Sequence, residues 1–283
     1  MNKGTPDIIM SRRRFMGRLA TGFKMALAGQ FLPRAVQAAA QPEAPALHYR
    51  PLNGNNLREM ARRKMHHGNG NFLNPMGIGR DKRFWQVLSW KLFHKNAYGD
   101  FLDDQPTTPV TIDWQPVKSH RGVSVTFIKH STLLVKDLDK VLLIDPVFDD
   151  IFWFIKDYSP LAFDLPDMPQ PDHVLITHGH YDHLDKPSLA ALNPGTHVIS
   201  PLGYDSEFDS VGMRHRTQLD WYGRYTDGRR EITCLPANHW TMRNPIAGPN
   251  RSLWGGYLIK TAGGPTIYIS GDSAYFDGFE QLG

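Results

Sequence analysis

From Gly122 onward the apolar residues fall in short clusters separated by turn residues, each cluster too short for a helix. The pattern predicts strands at 123–128, 132–135, 140–144, 173–177, 197–200, 231–235, 253–259 and 265–270. Helical spacing appears at 57–67, at 81–97 (where Phe84, Trp85, Leu88 and Leu92 share a face), at 184–192 and around 203–212. The run from Gly68 to Pro75 is turn-rich, and 102–120 is predicted to be extended and irregular. The stretch 276–282 reads as the opening turn of a helix with no later element to pack on. Strands with a few interposed helices predict a layered α/β architecture.

The first forty residues break this texture. Ser11-Arg12-Arg13-Arg14-Phe15-Met16 fits the twin-arginine export pattern, a weakly apolar stretch runs from Leu19 to Leu32, and 35–40 offers small-residue cleavage sites after Ala38 or Ala40. The stretch is too short and too polar for a stable membrane span. The expected organisation is therefore a signal peptide at 1–40, a linker and helical or irregular extension at 41–120, and the main domain at 121–283. Export by the twin-arginine machinery implies a periplasmic or exported protein that crosses the membrane folded.

Charge changes its meaning once this segment is set apart. The whole chain carries a formal +4. Seven Lys and Arg against Asp7 give the first 40 residues a net +6, which leaves the other 243 at −2. A mildly acidic body excludes a general nucleic-acid-binding surface. Cys234 is the single cysteine, so a disulfide scaffold is excluded as well.

The chemistry is concentrated in Thr177-His178-Gly179-His180-Tyr181-Asp182-His183, directly after a predicted apolar strand. Strand residues two apart point the same way, so a strand end directs His178 and His180 at one ion. The chain then turns, and Asp182 and His183 can reach a second ion beside it. Neutral imidazoles and carboxylates are the ligands of open catalytic zinc sites. Two further strand ends follow in order: 231–235 runs on to Asn238-His239-Trp240, and 265–270 ends in Gly271-Asp272. His48, His66, His67, His94, His120, His197 and His215 sit in no such pattern and are read as ordinary helix, loop or surface histidines.

These motifs resemble the metallo-β-lactamase superfamily. The resemblance implies an αββα sandwich with two zinc ions at strand ends: His178, His180 and His239 on one, Asp182 and His183 on the other, and Asp272 bridging. Asp182 would also orient the catalytic water, and Asp145 would be a strand-end structural aspartate. Asn71-Phe72-Leu73-Asn74-Pro75, Lys129-His130-Ser131-Thr132, Asp145-Pro146-Val147-Phe148, Leu253-Trp254-Gly255 and Gly271-Asp272-Ser273-Ala274-Tyr275 are similar to the N-acyl-phosphatidylethanolamine-hydrolysing phospholipase D group. That group implies phosphodiester hydrolysis on a lipid. The apolar run 151–155 with 161–163 reads either as a lip for membrane contact or acyl chains or as a short core helix.

No histidine follows His239. The family's last ligand, and the elements that would complete the second αβ half, have no counterpart in these residues. The expectation is an incomplete second half with a weakened second metal site. Two other readings stay open: a lactonase or another hydrolase of the same fold, and an inactive fragment.

Overall fold

The computed structural model describes residues 56–76, 110–150, 160–244 and 246–282. All of them belong to one of the two compact units of the chain, formed by Tyr49–Ile78, Thr107–Ile151 and Asp157–Gly283. The export segment, the linker as far as residue 55, the helix expected at 81–97 and the apolar run 151–155 lie outside the described residues.

Ten strands form two sheets. The first holds β1 (Val123–Lys129), β2 (Thr132–Asp137), β3 (Lys140–Ile144), β4 (His173–Leu175), β5 (His197–Pro201) and β6 (Arg216–Leu219), in that order. β1, β2 and β3 are antiparallel, and β3 to β6 are parallel. The second sheet holds β7 (Arg224–Thr226), β8 (Glu231–Leu235), β9 (Gly256–Lys260) and β10 (Thr266–Ile269), all antiparallel in the order β10-β9-β8-β7.

The unbroken apolar texture of β3, β4 and β5 follows from burial on both faces, as parallel central strands require. Leu142, Ile144, Leu175 and Ile199 meet Ile232, Cys234, Tyr257 and Ile259 of the second sheet. Their neighbours Val141, Leu143, Val174 and Val198 point the other way, toward Trp114, Leu189 and Phe208. Those three residues come from the short helices α2 (Trp114–Ser119), α3 (Lys186–Ala190) and α4 (Asp205–Asp209). Helix α1 (Leu57–Arg62) adds Leu57, Met60 and Ala61 to the same hydrophobic cluster as the second sheet. On the other face of the second sheet, Thr233, Leu235 and Leu258 line a shallow groove with Arg58 of α1 and Leu282. The layers are those of an α/β sandwich, with a thin fourth layer among the described residues.

Three expectations need correction. The stretch 102–120 is not wholly irregular: Trp114–Ser119 is helical, capped by the Asp113 carboxylate, which accepts from Gln115 N at 2.9 Å, and anchored by the buried Trp114 ring. Residues 276–282 form a 3-10 turn, Asp277–Gln281, rather than the opening of an α-helix, and it rests on an earlier element: Gln281 Oε1 accepts from Leu57 N at 2.8 Å at the start of α1. The helix at 57–67 is shorter than its spacing suggests, ending at Arg62, with Lys64 at φ 54.

Topology puts the functional loops at one end. Leu133 pairs with Ile144, so the β1–β2 turn lies beside the carboxyl end of β3. β8 and β10 both run antiparallel to β9 and therefore end on the same side. The far end is tied by Arg230, whose Nη1 donates to Asp227 Oδ2 at 3.0 Å and whose Nη2 donates to Asp137 O at 2.5 Å and to Asp139 Oδ1 at 2.8 Å.

Candidate metal centre

The end of β4 carries the chain from Leu175 into the ligand loop, and the neighbouring strand ends hold that loop in place. Asp145, directly after β3, is 1% exposed, and its backbone adopts φ 43. Its Oδ1 accepts from Thr177 N at 2.7 Å and its Oδ2 from Thr177 Oγ1 at 2.6 Å. Thr177 Oγ1 lies 3.0 Å from His178 Nδ1. With that hydroxyl's proton committed to Asp145, His178 donates from Nδ1 and keeps its Nε2 lone pair for the site. Asp145 Oδ2 also pairs with His183 Nδ1 at 2.8 Å, which turns His183 Nε2 toward Asp272 Oδ1 at 3.3 Å. Asp145 thus fixes the rings of His178, through Thr177, and of His183.

Glycine is required in the loop. A Cβ on Gly179 would sit 2.8 Å from Tyr204 Cε1 and 2.9 Å from Thr241 Oγ1. Gly271 adopts φ 57, and a Cβ there would meet Thr177 at 2.8 Å. Gly255 N donates to Thr177 O at 3.0 Å. The seam between the two sheets therefore closes directly behind the ligand loop.

The structure brings all six residues expected at the site together. His178, His180, His239 and Asp272 form one group in which single ligand atoms lie within 4.8 Å of one another. Asp182 and His183 form a second such group with His130. Asp272 spans the two, its Oδ2 3.9 Å from both His178 Nε2 and His239 Nε2 and its Oδ1 facing His183.

The donor set fits a cation better than it fits itself. His180 Nδ1 lies 2.9 Å from His178 Nε2 and 3.2 Å from His239 Nε2, so one in-plane nitrogen faces two others. A single ring nitrogen cannot satisfy both neighbours by hydrogen bonding. His180 Nε2 is buried with no partner. Burial pushes His178 and His180 below the ordinary histidine range and His239 down to about 4, so all three present neutral rings. His183 differs: burial opposes its charge, but its bonds to Asp145 and Asp272 outweigh that and hold it up at about 10. Hydrogen bonding from His183 in turn lowers Asp272. Three converging neutral imidazoles with a carboxylate between them form a hole for a divalent ion.

Two features escaped the sequence. His130 was read only as part of a motif, because a histidine in a hairpin turn carries no ligand signal until the turn's position is known. His66, read as an ordinary helix, loop or surface histidine, is fully buried and stacked on Trp221, and both it and the exposed His67 reach Asp220, at 2.5 and 2.9 Å. Although these three could also hold an ion by spacing alone, Lys64 Nζ sits on the same Asp220 oxygen as His67 and already supplies the positive charge.

Residues 140–283 match the family model of the beta-lactamase superfamily domain. The chain is 30% identical over 210 residues to N-acyl-phosphatidylethanolamine-hydrolyzing phospholipase D 1 of Caenorhabditis elegans, covering 67% of this chain and 58% of that protein's length. It is 27% identical over 184 residues to a UPF0173 metal-dependent hydrolase of Thermodesulfovibrio yellowstonii, covering 59% and 66% respectively. Among solved structures it is similar to Igni18, a metallo hydrolase from Ignicoccus hospitalis, at TM-score 0.45 and 20% identity, covering 57% of this chain and 65% of that one.

Proposed function

Since the chain belongs to the beta-lactamase superfamily, its residues 140–283 matching that domain across just over half of the 283, we propose that it is a zinc-dependent hydrolase. Its substrate class in this reading is the phosphodiester of an N-acyl-phosphatidylethanolamine-type lipid, cleaved as a phospholipase D cleaves it. The observation that carries the hydrolase reading is the convergence of the two donor groups on Asp272.

His178, His180 and His239 would hold one zinc ion, Asp182 and His183 the other, with Asp272 between them. When bound, the ions supply Lewis acidity, making a water more acidic and neutralising charge on the phosphoryl oxygens. The partly exposed Asp182 would orient the attacking water through its carboxylate. Asp145 fixes the rings of His178, through Thr177, and of His183, so the donors need little rearrangement. The exposed Trp240 ring meets the His180 ring edge-on, with centroids 4.7 Å apart.

The lipid preference is supported by the nematode relative's name and by apolar residues near the mouth. Leu73, Trp240 and Tyr275 are exposed large apolar side chains. They attach to one loop: Asn74 Nδ2 donates to His239 O at 3.0 Å, and Ala274 N to Asn238 O at 2.9 Å. The proposal extends to an exported protein, delivered folded by the twin-arginine machinery and touching a bilayer through 151–163. No helix among the described residues is long and apolar enough to cross a membrane.

A panel of phosphodiesters, including N-acyl-phosphatidylethanolamine, and of lactones, assayed with added zinc, tests the reading. Turnover of the lipid phosphodiester is expected, and Asp182→Ala should bring it to background. Full turnover by that variant overturns the role of Asp182, and turnover of lactones alone overturns the substrate class.

A further inference from the structure

The connection between β1 and β2 is two residues long. Lys129 pairs with Thr132, which leaves His130 and Ser131 as the turn. His130 adopts φ 49. L side chains avoid that region, and tight hairpin turns that need it are filled by glycine or asparagine. Histidine enters that region more readily than most L residues, yet in a two-residue turn where glycine or asparagine is usual it invites a reason in function. The ring is not buried in the core, since its side chain is about one third exposed, at 32%.

What the ring reaches is the ligand loop. His130 Nε2 lies 3.2 Å from Asp182 Oδ2, and its ring centroid is 6.1 Å from that of His183. One ligand atom from each of His130, Asp182 and His183 lies within 4.8 Å of the others. The turn is pinned against that loop on both sides. Ser131 Oγ donates to Asp182 O at 2.9 Å, and Thr132 Oγ1 donates to Asp145 O at 2.9 Å and accepts from Val147 N at the same distance. His130 is thereby set in place by the fold, with no substrate needed to bring it in.

We infer that His130 is a ligand of the second metal ion, together with Asp182, His183 and the bridging Asp272. Two imidazoles and two carboxylates are a donor set that zinc accepts in a catalytic site. The inference rests on the metal-hydrolase reading. It does not come from the family match, which begins at residue 140, beyond the β1–β2 turn. Had His130 only oriented Asp182 by a hydrogen bond, a strained backbone would still be present, but the ion would lose an outer partner alone when the ring is removed. The size of the loss separates the two roles.

The test is His130→Gly in the full chain, with His130→Asn as a second variant that also tolerates a positive φ. Each protein is stripped with a chelator and titrated with Co2+, ions per chain and affinities being read from the absorption bands and by equilibrium dialysis. Wild type is expected to bind two ions. His130→Gly should keep the first at wild-type affinity and hold the second more than about 100-fold more weakly, beyond the roughly 10–100-fold that loss of an outer partner costs. Its melting temperature without metal should equal or exceed that of wild type, because glycine accepts φ 49 freely. Two ions at unchanged affinity, or a loss below about 100-fold, overturns ligation by His130. A fall in melting temperature in both variants, with both ions weakened alike, assigns the residue a structural role and overturns it too. One ion in wild type, unaffected by either variant, overturns this inference alone. No ion in wild type overturns the metal-hydrolase reading beneath it.

Discussion

Asp220 offers a test of the fold that does not depend on metal. Its carboxylate gathers Lys64 Nζ, His66 Nε2 at 2.5 Å, His67 Nε2 at 2.9 Å and Trp221 N at 2.8 Å. Three of these partners come from the segment 56–76, so one side chain fastens α1 and the loop after it onto the β6–β7 connection, where the chain passes from the first sheet to the second. In Asp220→Ala the fully buried His66 ring loses its partner, which costs about 1.5–3 kcal/mol for a bond to a charged group. The Lys64 and His67 pairs are 57% and 35% exposed on the basic side and contribute only a few tenths each. Trp221 N retains access to other acceptors or water. The expected loss is roughly 3 kcal/mol, a fall of about 6–12 °C in melting temperature for a domain of this size. Calorimetry and urea unfolding check the total, and amide exchange checks its location: protection should fall first across 57–76. The same segment carries Asn74, which holds the His239 loop through Asn238 Oδ1 at 2.9 Å and His239 O at 3.0 Å. Zinc affinity should therefore weaken modestly as well. A loss under about 0.5 kcal/mol, the scatter of ordinary surface substitutions, or uniform exchange across the domain, would refute the clamp. The pH dependence has a definite sign. Burial opposes the Asp220 charge, but the bonds from His66 and Lys64 outweigh it and hold the carboxyl well below the usual range. Its contribution is therefore present above the unfolded value of 3.8 and lost as the pH falls through the lower folded value.

Two further outcomes are expected elsewhere in the domain. Gly179→Ala forces a Cβ against the buried Tyr204 and Thr241, so it should cost about 1–3 kcal/mol by thermal melt and reduce zinc per chain; a variant with both unchanged would show that the loop has room to spare. His197, stacked 4.1 Å from His215 and bonded to Thr217 Oγ1 at 2.9 Å, is pushed down to about 4 by burial, with the neighbouring histidines adding to it. The unfolded chain then takes up a proton between about pH 6.5 and 4 that the folded one refuses, so stability is lost as pH falls through that window, by up to about 3 kcal/mol. In His197→Gln the slope of stability against pH over that range should flatten, and an unchanged slope would remove His197 from the account.

The sequence made some of this legible and hid the rest for identifiable reasons. β3 (KVLLI) and β8 (EITCL) match their expected bounds because each opens on a charged residue, continues in apolar or β-branched residues, and is closed by Asp145-Pro146 or by Pro236. β6 and β7, with sequences RTQL and RYT, carry no apolar pattern, since their residues are mostly only partly buried and the pairing register alone makes them strands. Helix α2 was missed because it holds Pro116 and spans only six residues; its stability comes from the Asp113 cap and the burial of Trp114, and neither is a periodic signal. Asp220 and His66 stand 154 positions apart, which local pattern cannot bridge. The candidate site was legible because His178, His180, His239 and Asp272 lie three to five positions beyond a strand end, and strand ends are where parallel and antiparallel sheets alike expose convergent side chains.

That placement also decides what the site tolerates. Thr177 receives the Asp145 carboxylate from β3, the Gly255 N–H from the start of the second sheet, and the close approach of Gly271 from the end of β10. One residue that binds no metal is therefore the point at which both sheets bear on His178. A change that separates the sheets, wherever it lies in the core between them, moves Gly271 and with it Asp272, while His178 and His183 stay with Asp145. The Asp272 carboxylate, which lies between the two groups, is then the first donor to move away, so core-loosening substitutions in the second sheet should uncouple the two donor groups before they disperse either one.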